Sequence, residues 1–194
     1  LCEKPPCLNE NDLKKIIKYE KKFSKKCFFV FQLRYDKNVL RIKKLYHSKK
    51  NINANVDYIT HRGEWYNKSW KGNLKKSGGL IFNIGIHLID LLIFWFGKIK
   101  NIKIIKKNSK IIVSKIHFES AKVKIRISTD KKHIPNNIKT NGFQYRNIKI
   151  GKRKIEFSSK FNELHSKVYK DFLKKKGIRA QDLKYLISSL SKFN

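Results

Sequence analysis

The 194 residues contain no methionine, three cysteines and only 14 acidic side chains against 47 basic ones. Each shortage narrows the field. Cys2, Cys7 and Cys27 are odd in number and lack the paired spacing of a zinc site or a disulfide framework, so they read as reduced thiols in a cytoplasmic setting. A chain that opens on Leu1 and never uses Met reads as a piece of a longer or decayed reading frame. Its first residues are polar and include Pro5 and Pro6, which does not match a signal peptide. The longest apolar run, Gly78 to Gly97, is interrupted by Asn83, His87 and Asp90. Such groups are costly in lipid, so the run reads as a buried helix and no membrane partner is expected. Arginine is scarce as well, at seven of the 47 basic residues. The rest are lysines spread over every segment, amid abundant Ile, Asn and Phe, as an AT-rich coding sequence favours. Nucleic-acid readers lean on the planar guanidinium fork. The net charge of +33 is therefore assigned to codon usage, with no specific nucleic-acid partner expected. A charge-driven polyanion surface is the lesser reading.

What remains is ample for one packed domain: 40% of the residues are hydrophobic and 12% aromatic. Leu13, Ile16, Ile17 and Phe23 form the stripe of an amphipathic helix over 9–24, capped by Asn9 or Asn11. Residues 27–33 read as a short strand. Asp36 caps a helix through Tyr46. Residues 54–61 read as a strand, 62–78 as a long loop and 80–96 as a helix closed by Gly97. Segments 98–106, 110–118, 121–129 and 143–157 alternate Ile, Val or Phe with Lys, as antiparallel strands with one wet face do, and Gly151 marks a hairpin. Helices near 161–175 and 180–191 follow. The expected fold is α+β: an open, mostly antiparallel sheet with helices on one face.

Chemistry concentrates in three places. Glu3-Lys4-Pro5 heads the chain. Asn83 and His87 lie at i and i+4, with Asp90 three further on, so all three share one helix face. There a histidine between an amide and a carboxylate can be held in one tautomer, and Gly85 leaves room for a ligand. A hydrogen-bonded core histidine is the plainer reading of that helix taken alone. Between the two motifs, residues 58–72 crowd Arg62, Trp65, Tyr66, Trp70 and Lys71 ahead of Gly78-Gly79. Aromatic faces can stack on a base or sugar, and Arg62 and Lys71 can meet a carboxylate or diphosphate. An ordinary surface loop is the alternative.

Taken together, Glu-Lys-Pro and, about eighty residues on, Gly-Gly … Asn-Ile-Gly-Ile-His-Leu-Ile-Asp resemble the Gfo/Idh/MocA family of NAD-dependent oxidoreductases. Nearly the whole chain takes part. The stretch over 58–72 resembles the branch of bacterial UDP-N-acetylglucosaminuronate 3-dehydrogenases of lipopolysaccharide sugar synthesis. The resemblance implies the family's substrate-side α+β domain in residues 36–194. Residues 1–35 would be the end of a Rossmann domain whose G-x-G-x-x-G loop would lie upstream. It implies oxidation of a 3-hydroxyl on a UDP-linked N-acetylamino sugar acid, with NAD as the cofactor and NADP still open. Lys4 and His87 would be the catalytic pair. Arg34, Arg62, Trp65, Tyr66, Trp70, Lys71 and Asn83 would contact substrate, and Glu3, Lys4 and Pro5 would border the cofactor. Asp90 would orient its neighbours. Asn83 stands where much of the family has Asp, and it cannot carry a proton. A chain without the nucleotide half would be inactive alone and would associate with copies of itself through the sheet face. The competing reading is a non-catalytic sugar-nucleotide-binding or oligomerisation remnant.

Overall fold

A computed structural model describes residues 1–136, 144–156 and 162–193. Helix α1 (Glu10–Lys22) begins where the Asn9 side chain accepts the Asp12 N–H at 2.9 Å. Leu13 is buried, whereas Phe23 falls just past the helix and is exposed, so it leaves the expected stripe. The apolar run 27–33 is only briefly a strand. β1 (Phe28–Phe29) pairs with β8 (Ile178–Arg179), and a 3-10 turn, Gln32–Tyr35, follows. Burial on every side accounts for the apolar run without a long strand. Asp36 caps α2 (Lys37–Tyr46) as expected, accepting the N–H of Asn38 and Val39.

The large sheet has the order β3-β4-β5-β2-β6-β7. Its strands are β2 (Ile52–Thr60), β3 (Ile99–Lys107), β4 (Ile111–Phe118), β5 (Ala121–Ser128), β6 (Gln144–Ile150) and β7 (Arg153–Glu156). Only β2 and β5 run parallel; the other neighbours are antiparallel. Gly151, at φ +56°, turns β6 into β7. Phe143, Phe157 and Phe161, at the ends of the expected strand 143–157 and helix 161–175, lie outside the described residues.

Alternation sorts the strands into two faces. Ile52, Ala54, Val56 and Tyr58 of β2 face the core, beside Val123, Ile125 and Ile127 of β5 and Ile148 and Ile150 of β6. The opposite face carries an in-register row across all six strands: Lys103, Lys115, Lys124, Asn55, Lys149 and Lys154, each exposed.

The core is closed by a helical stretch, Leu74–Phe96, long and apolar enough to cross a membrane. Of its most apolar window, 78% is buried in the protein. It is a core helix, packed between the sheet, α2 and α7 (Lys184–Ser191). It starts as α4 (Leu74–Ser77), passes Gly78 and Gly79 at positive φ, makes a π-helical turn over Ile81–Gly85 and ends as α5 (Ile86–Phe96). Gly97, at φ +81°, closes it by donating its N–H to the Ile93 carbonyl. Gly85 does not make room for a ligand. A Cβ there would stand 3.0 Å from Ile127 Cδ1 and 2.8 Å from Ile81 Cδ1, so this glycine lets the helix lie directly on β5. Residues 62–78 are not a plain loop: α3 (Glu64–Lys68), a 3-10 turn Trp70–Gly72 and α4 follow in succession. The side chains of Ser69 and Asn73 cap the last two, a local signal visible in the sequence. The last helices, α6 (Asn162–Leu173) and α7, flank the small β1–β8 pair, and α7 packs against α1 and α5. Leu13, Phe29 and Phe31 share one hydrophobic cluster with Val56, Ile89 and Leu186.

Candidate active site

The inward lines of β2 and β6 turn from apolar to polar at the same end. On β2, Ala54 and Val56 give way to Tyr58 and Thr60, and Arg62 continues the alternation just beyond. On β6, Ile150 and Ile148 give way to Arg146 and Gln144, directly opposite Tyr58 and Thr60. These polar ends form one wall of a cavity of about 660 Å³.

The other walls come from three elements. The head of the chain is drawn in by two backbone bonds, Cys2 N–H to the Phe28 carbonyl at 2.8 Å and Val30 N–H to the Cys2 carbonyl at 3.1 Å. This places Glu3 and Lys4 on the cavity. The π-turn contributes Asn83 and Ile84, and the first turn of α5 contributes His87. Tyr66 and Lys71 come from the segment after β2, and Glu163 and His165 from α6.

Lys4 and His87 therefore meet in one cavity, as the two motifs imply. The Lys4 ammonium donates to the Asn83 carbonyl at 2.7 Å. A π-turn breaks the regular i→i+4 bonding of a helix, and such turns recur at functional sites because backbone groups there can serve outside donors. Burial lowers the Lys4 pKa to about 8; the Glu3 carboxylate opposes the shift, and Arg62, Lys71 and Arg146 add to it. His87 is buried, its ring edge-on to Phe31 at 5.8 Å. Its Nδ1 has no hydrogen-bond partner among the described residues. Burial, and then the charges of Lys4 and Arg146, hold its pKa well below the usual histidine value, so the ring is neutral at pH 7.

Other expected residues are placed differently. Asn83 and Asp90 do not hold His87. The Asn83 amide donates to the Tyr66 hydroxyl at 3.1 Å and the Lys71 carbonyl at 3.4 Å, tying the π-turn to the aromatic segment. Asp90 is buried and pairs with Arg34, whose Nε lies 2.9 Å from a carboxylate oxygen. Burial raises the Asp90 pKa even against the Arg34 charge. Arg34 also lies over the Phe94 ring and does not line the cavity. Its side chain anchors Asp90 of the core helix. Trp65 and Trp70, each more than half exposed, also stand outside the lining, with Lys71 Nζ 5.6 and 6.0 Å from their rings. They mark the rim beside Lys71. Pro5 follows a cis peptide and is not on the lining. Sequence reasoning missed Gln32, Tyr58, Thr60, Gln144, Arg146, Glu163 and His165, all on the lining. The signal for Arg146 was its place on the same face as Ile148 and Ile150, where a charged residue points inward. No group of three or more potential metal-ligating side chains occurs among the described residues.

The chain is similar to known proteins over nearly its whole length. The family profile for the oxidoreductase family's C-terminal alpha/beta domain, GFO_IDH_MocA_C, matches residues 49–110. The WlbA (WbpB) dehydrogenase of Thermus thermophilus, solved in complex with NAD and UDP-GlcNAcA, is 30% identical at a TM-score of 0.91, over 98% of this chain and 62% of that one. In complex with NAD and alpha-ketoglutarate, the WlbA (WbpB) dehydrogenase of that organism matches at 32% identity and a TM-score of 0.88, over 95% of this chain and 60% of the other. WlbA of Bordetella pertussis shares the fold at 18% identity and a TM-score of 0.78, over 97% of this chain and 66% of its own. The chain thus spans about three fifths of the Thermus thermophilus structures it matches. Residues 49–110 match the C-terminal α/β domain of the Gfo/Idh/MocA oxidoreductase family, and the fold is similar to that of the Thermus thermophilus dehydrogenases over nearly the whole chain.

Proposed function

We propose that this chain is the substrate-side part of an NAD-dependent dehydrogenase that oxidises the 3-hydroxyl of a UDP-linked N-acetylamino sugar acid, a precursor of surface polysaccharide, in the cytoplasm. The observation that carries the reading is the meeting of Lys4 and His87 in one cavity. At a pKa of about 8, Lys4 is partly neutral near pH 7.5 and can take the hydroxyl proton as the C–H hydride leaves. Neutral His87, whose ring borders the cavity, can hold the same hydroxyl by a hydrogen bond. Tyr66 and Asn83 fix the ring's position, and Lys71 with the rim tryptophans receives the diphosphate and base.

The residues present fit the reacting end of a nicotinamide cofactor. Glu3 puts a carboxylate at the cavity edge, where a cationic ring would lie, and Lys4 is already biased toward its neutral form. Glu3 and Lys4 would border the ring, which supplies the hydride acceptor when bound. Residues 1–35 would be the close of the nucleotide-binding domain, and self-assembly would use the sheet face.

The test joins this chain to the part of the Thermus thermophilus relative that it does not cover and follows NADH formation from NAD and UDP-GlcNAcA. Turnover is expected, with Lys4→Met and His87→Gln each lowering it about 100- to 10,000-fold. Turnover unaffected by both substitutions refutes the assignment. The non-catalytic reading predicts sugar-nucleotide binding and no NADH.

A further inference from the structure

The outer face of the large sheet gathers charge of one sign along a line. Lys103, Lys115, Lys124, Lys149 and Lys154 stand in register, one on each strand except β2, where Asn55 takes the place. All five are exposed, and none makes an ion pair among the described residues. The next row on one side adds His117 and Lys122 between Asn101 and Asn53, again without a carboxylate. Carboxylates return only in the row on the other side, where Asp57 is held by Arg126 at 2.7 Å and Glu156 stands at the β7 end. The lysine line crosses five strand spacings, a span of about 24 Å.

What can lie on this line is narrowed by what the face lacks. The two basic rows hold no Phe, Tyr or Trp, so a nucleic-acid strand finds no platform there on which to stack its bases. The cations are lysines, compact charges without the planar fork that reads base edges. No apolar side chain occurs in those rows to sink into a bilayer. A second copy laid on the bare face would set lysine against lysine. The occupant that meets none of these obstacles is a flexible chain of closely spaced anions that offers only its charge. Its binding frees the counterions condensed along it, a gain that grows with the number of lysines met.

We propose that the outer face of the sheet is a binding surface for inorganic polyphosphate, which lies across the strands along Lys103, Lys115, Lys124, Lys149 and Lys154. Each ammonium carries three donors on a flexible stem and can turn to whichever phosphate oxygen comes near, so the twist of the sheet costs the contact little. The anion must be long enough to follow the line. A short phosphate reaches two or three lysines, whereas a long chain reaches all five. The face lies on the other side of the sheet from Lys4 and His87, so the proposal stands apart from the dehydrogenase reading.

Calorimetric titration of the chain with long-chain polyphosphate, tripolyphosphate and an oligothymidine of matched phosphate number, over a series of salt concentrations, tests this. The long chain should bind about 30- to 100-fold more tightly than tripolyphosphate, with a logarithmic salt slope of about −3.5. The triple variant Lys115→Gln, Lys124→Gln, Lys149→Gln should lose about 30- to 100-fold in affinity, its slope falling to about −1.5. Removing the same charge from the exposed Lys14, Lys18 and Lys21 of α1, each to Gln, should change affinity by no more than about threefold. Thermal unfolding checks that each variant folds, and Lys124→Gln alone, expected to cost about fivefold, gives the reading should the row triple not fold. Equal loss in the two triples would show that net charge alone attracts the anion, and would overturn the surface. Tripolyphosphate bound as tightly as the long chain, or no binding of the long chain at low salt, overturns it too. Oligothymidine bound as tightly as polyphosphate, and weakened by the row triple, would make the face a nucleic-acid surface instead.

Discussion

Lys4 makes the fold's stability depend on pH in an unusual direction, and the effect can be sized. Its pKa falls from 10.5 to about 8, chiefly through burial. Below pH 8 the folded and unfolded chains both carry the proton, and the folded chain bears the charge where it is disfavoured. Between pH 8 and 10.5 the folded chain has released the proton and the unfolded chain still holds it. Stability therefore rises with pH across that window. At 1.36 kcal/mol for each pKa unit the ceiling is about 3 kcal/mol, and water at the open mouth of the cavity reduces it to about 1.5–3 kcal/mol. The assay is urea unfolding of the wild type and Lys4→Met from pH 7 to 10.5, followed by circular dichroism. Every other lysine is common to both proteins, so their titration cancels in the difference. Loss of the bond to the Asn83 carbonyl adds an offset that varies little with pH. The wild type should gain on Lys4→Met by about 1.5–3 kcal/mol over the series. A difference that stays flat, or falls as pH rises, would show that Lys4 is solvated like any surface lysine, and the proton-transfer argument would lose its basis.

Three further outcomes are expected. Gly85→Ala should destabilise by about 1–3 kcal/mol, because its Cβ must displace Ile127 or Ile81; an unchanged urea midpoint would contradict the close packing of helix on sheet. Asp90→Asn should cost about 2–4 kcal/mol by leaving Arg34 without its carboxylate, yet leave sugar-nucleotide affinity unchanged; loss of affinity would return Arg34 to the site. Proton NMR should find the His87 ring neutral well below pH 6.5, the midpoint of a free histidine; titration near 6.5 would contradict its burial.

The legible parts of this protein were those written in local periodicity. Asp36 and Gly97 announce the ends of their helices. The alternation of β4 and β5 needs only neighbouring residues to be read, whereas β3 lies mostly exposed and breaks it. The spacing of Asn83, His87 and Asp90 did place a chemical face on a buried helix, but the partners of that face came from elsewhere. The π-turn changes the helical phase between Asn83 and His87, and sequence spacing assumes an unbroken helix. Asp90 finds its cation 56 residues earlier, at Arg34. Arg146 reaches the cavity only because β6 pairs with β2 across more than eighty residues, and periodicity carries no record of which strands become neighbours. Trp65 and Trp70, expected to stack on substrate, are instead held more than half exposed by α3 and by the Ser69-capped 3-10 turn.

The lysine row on the outer face of the sheet has its own consequence. Adjacent strands lie about 4.8 Å apart, inside the screening length of about 8 Å at physiological ionic strength, so neighbouring ammonium groups press outward along the hydrogen-bond direction. The ladder is thus loaded sideways, and its outer strands, β3 and β7, feel the push without a neighbour beyond them. Dissolved salt, or a multivalent counterion stretched along the row, relaxes that load, and the melting temperature climbs as ionic strength increases. Copies that stack on this face must slide their rows out of line, which sets the register of any such assembly by electrostatics before packing has a say.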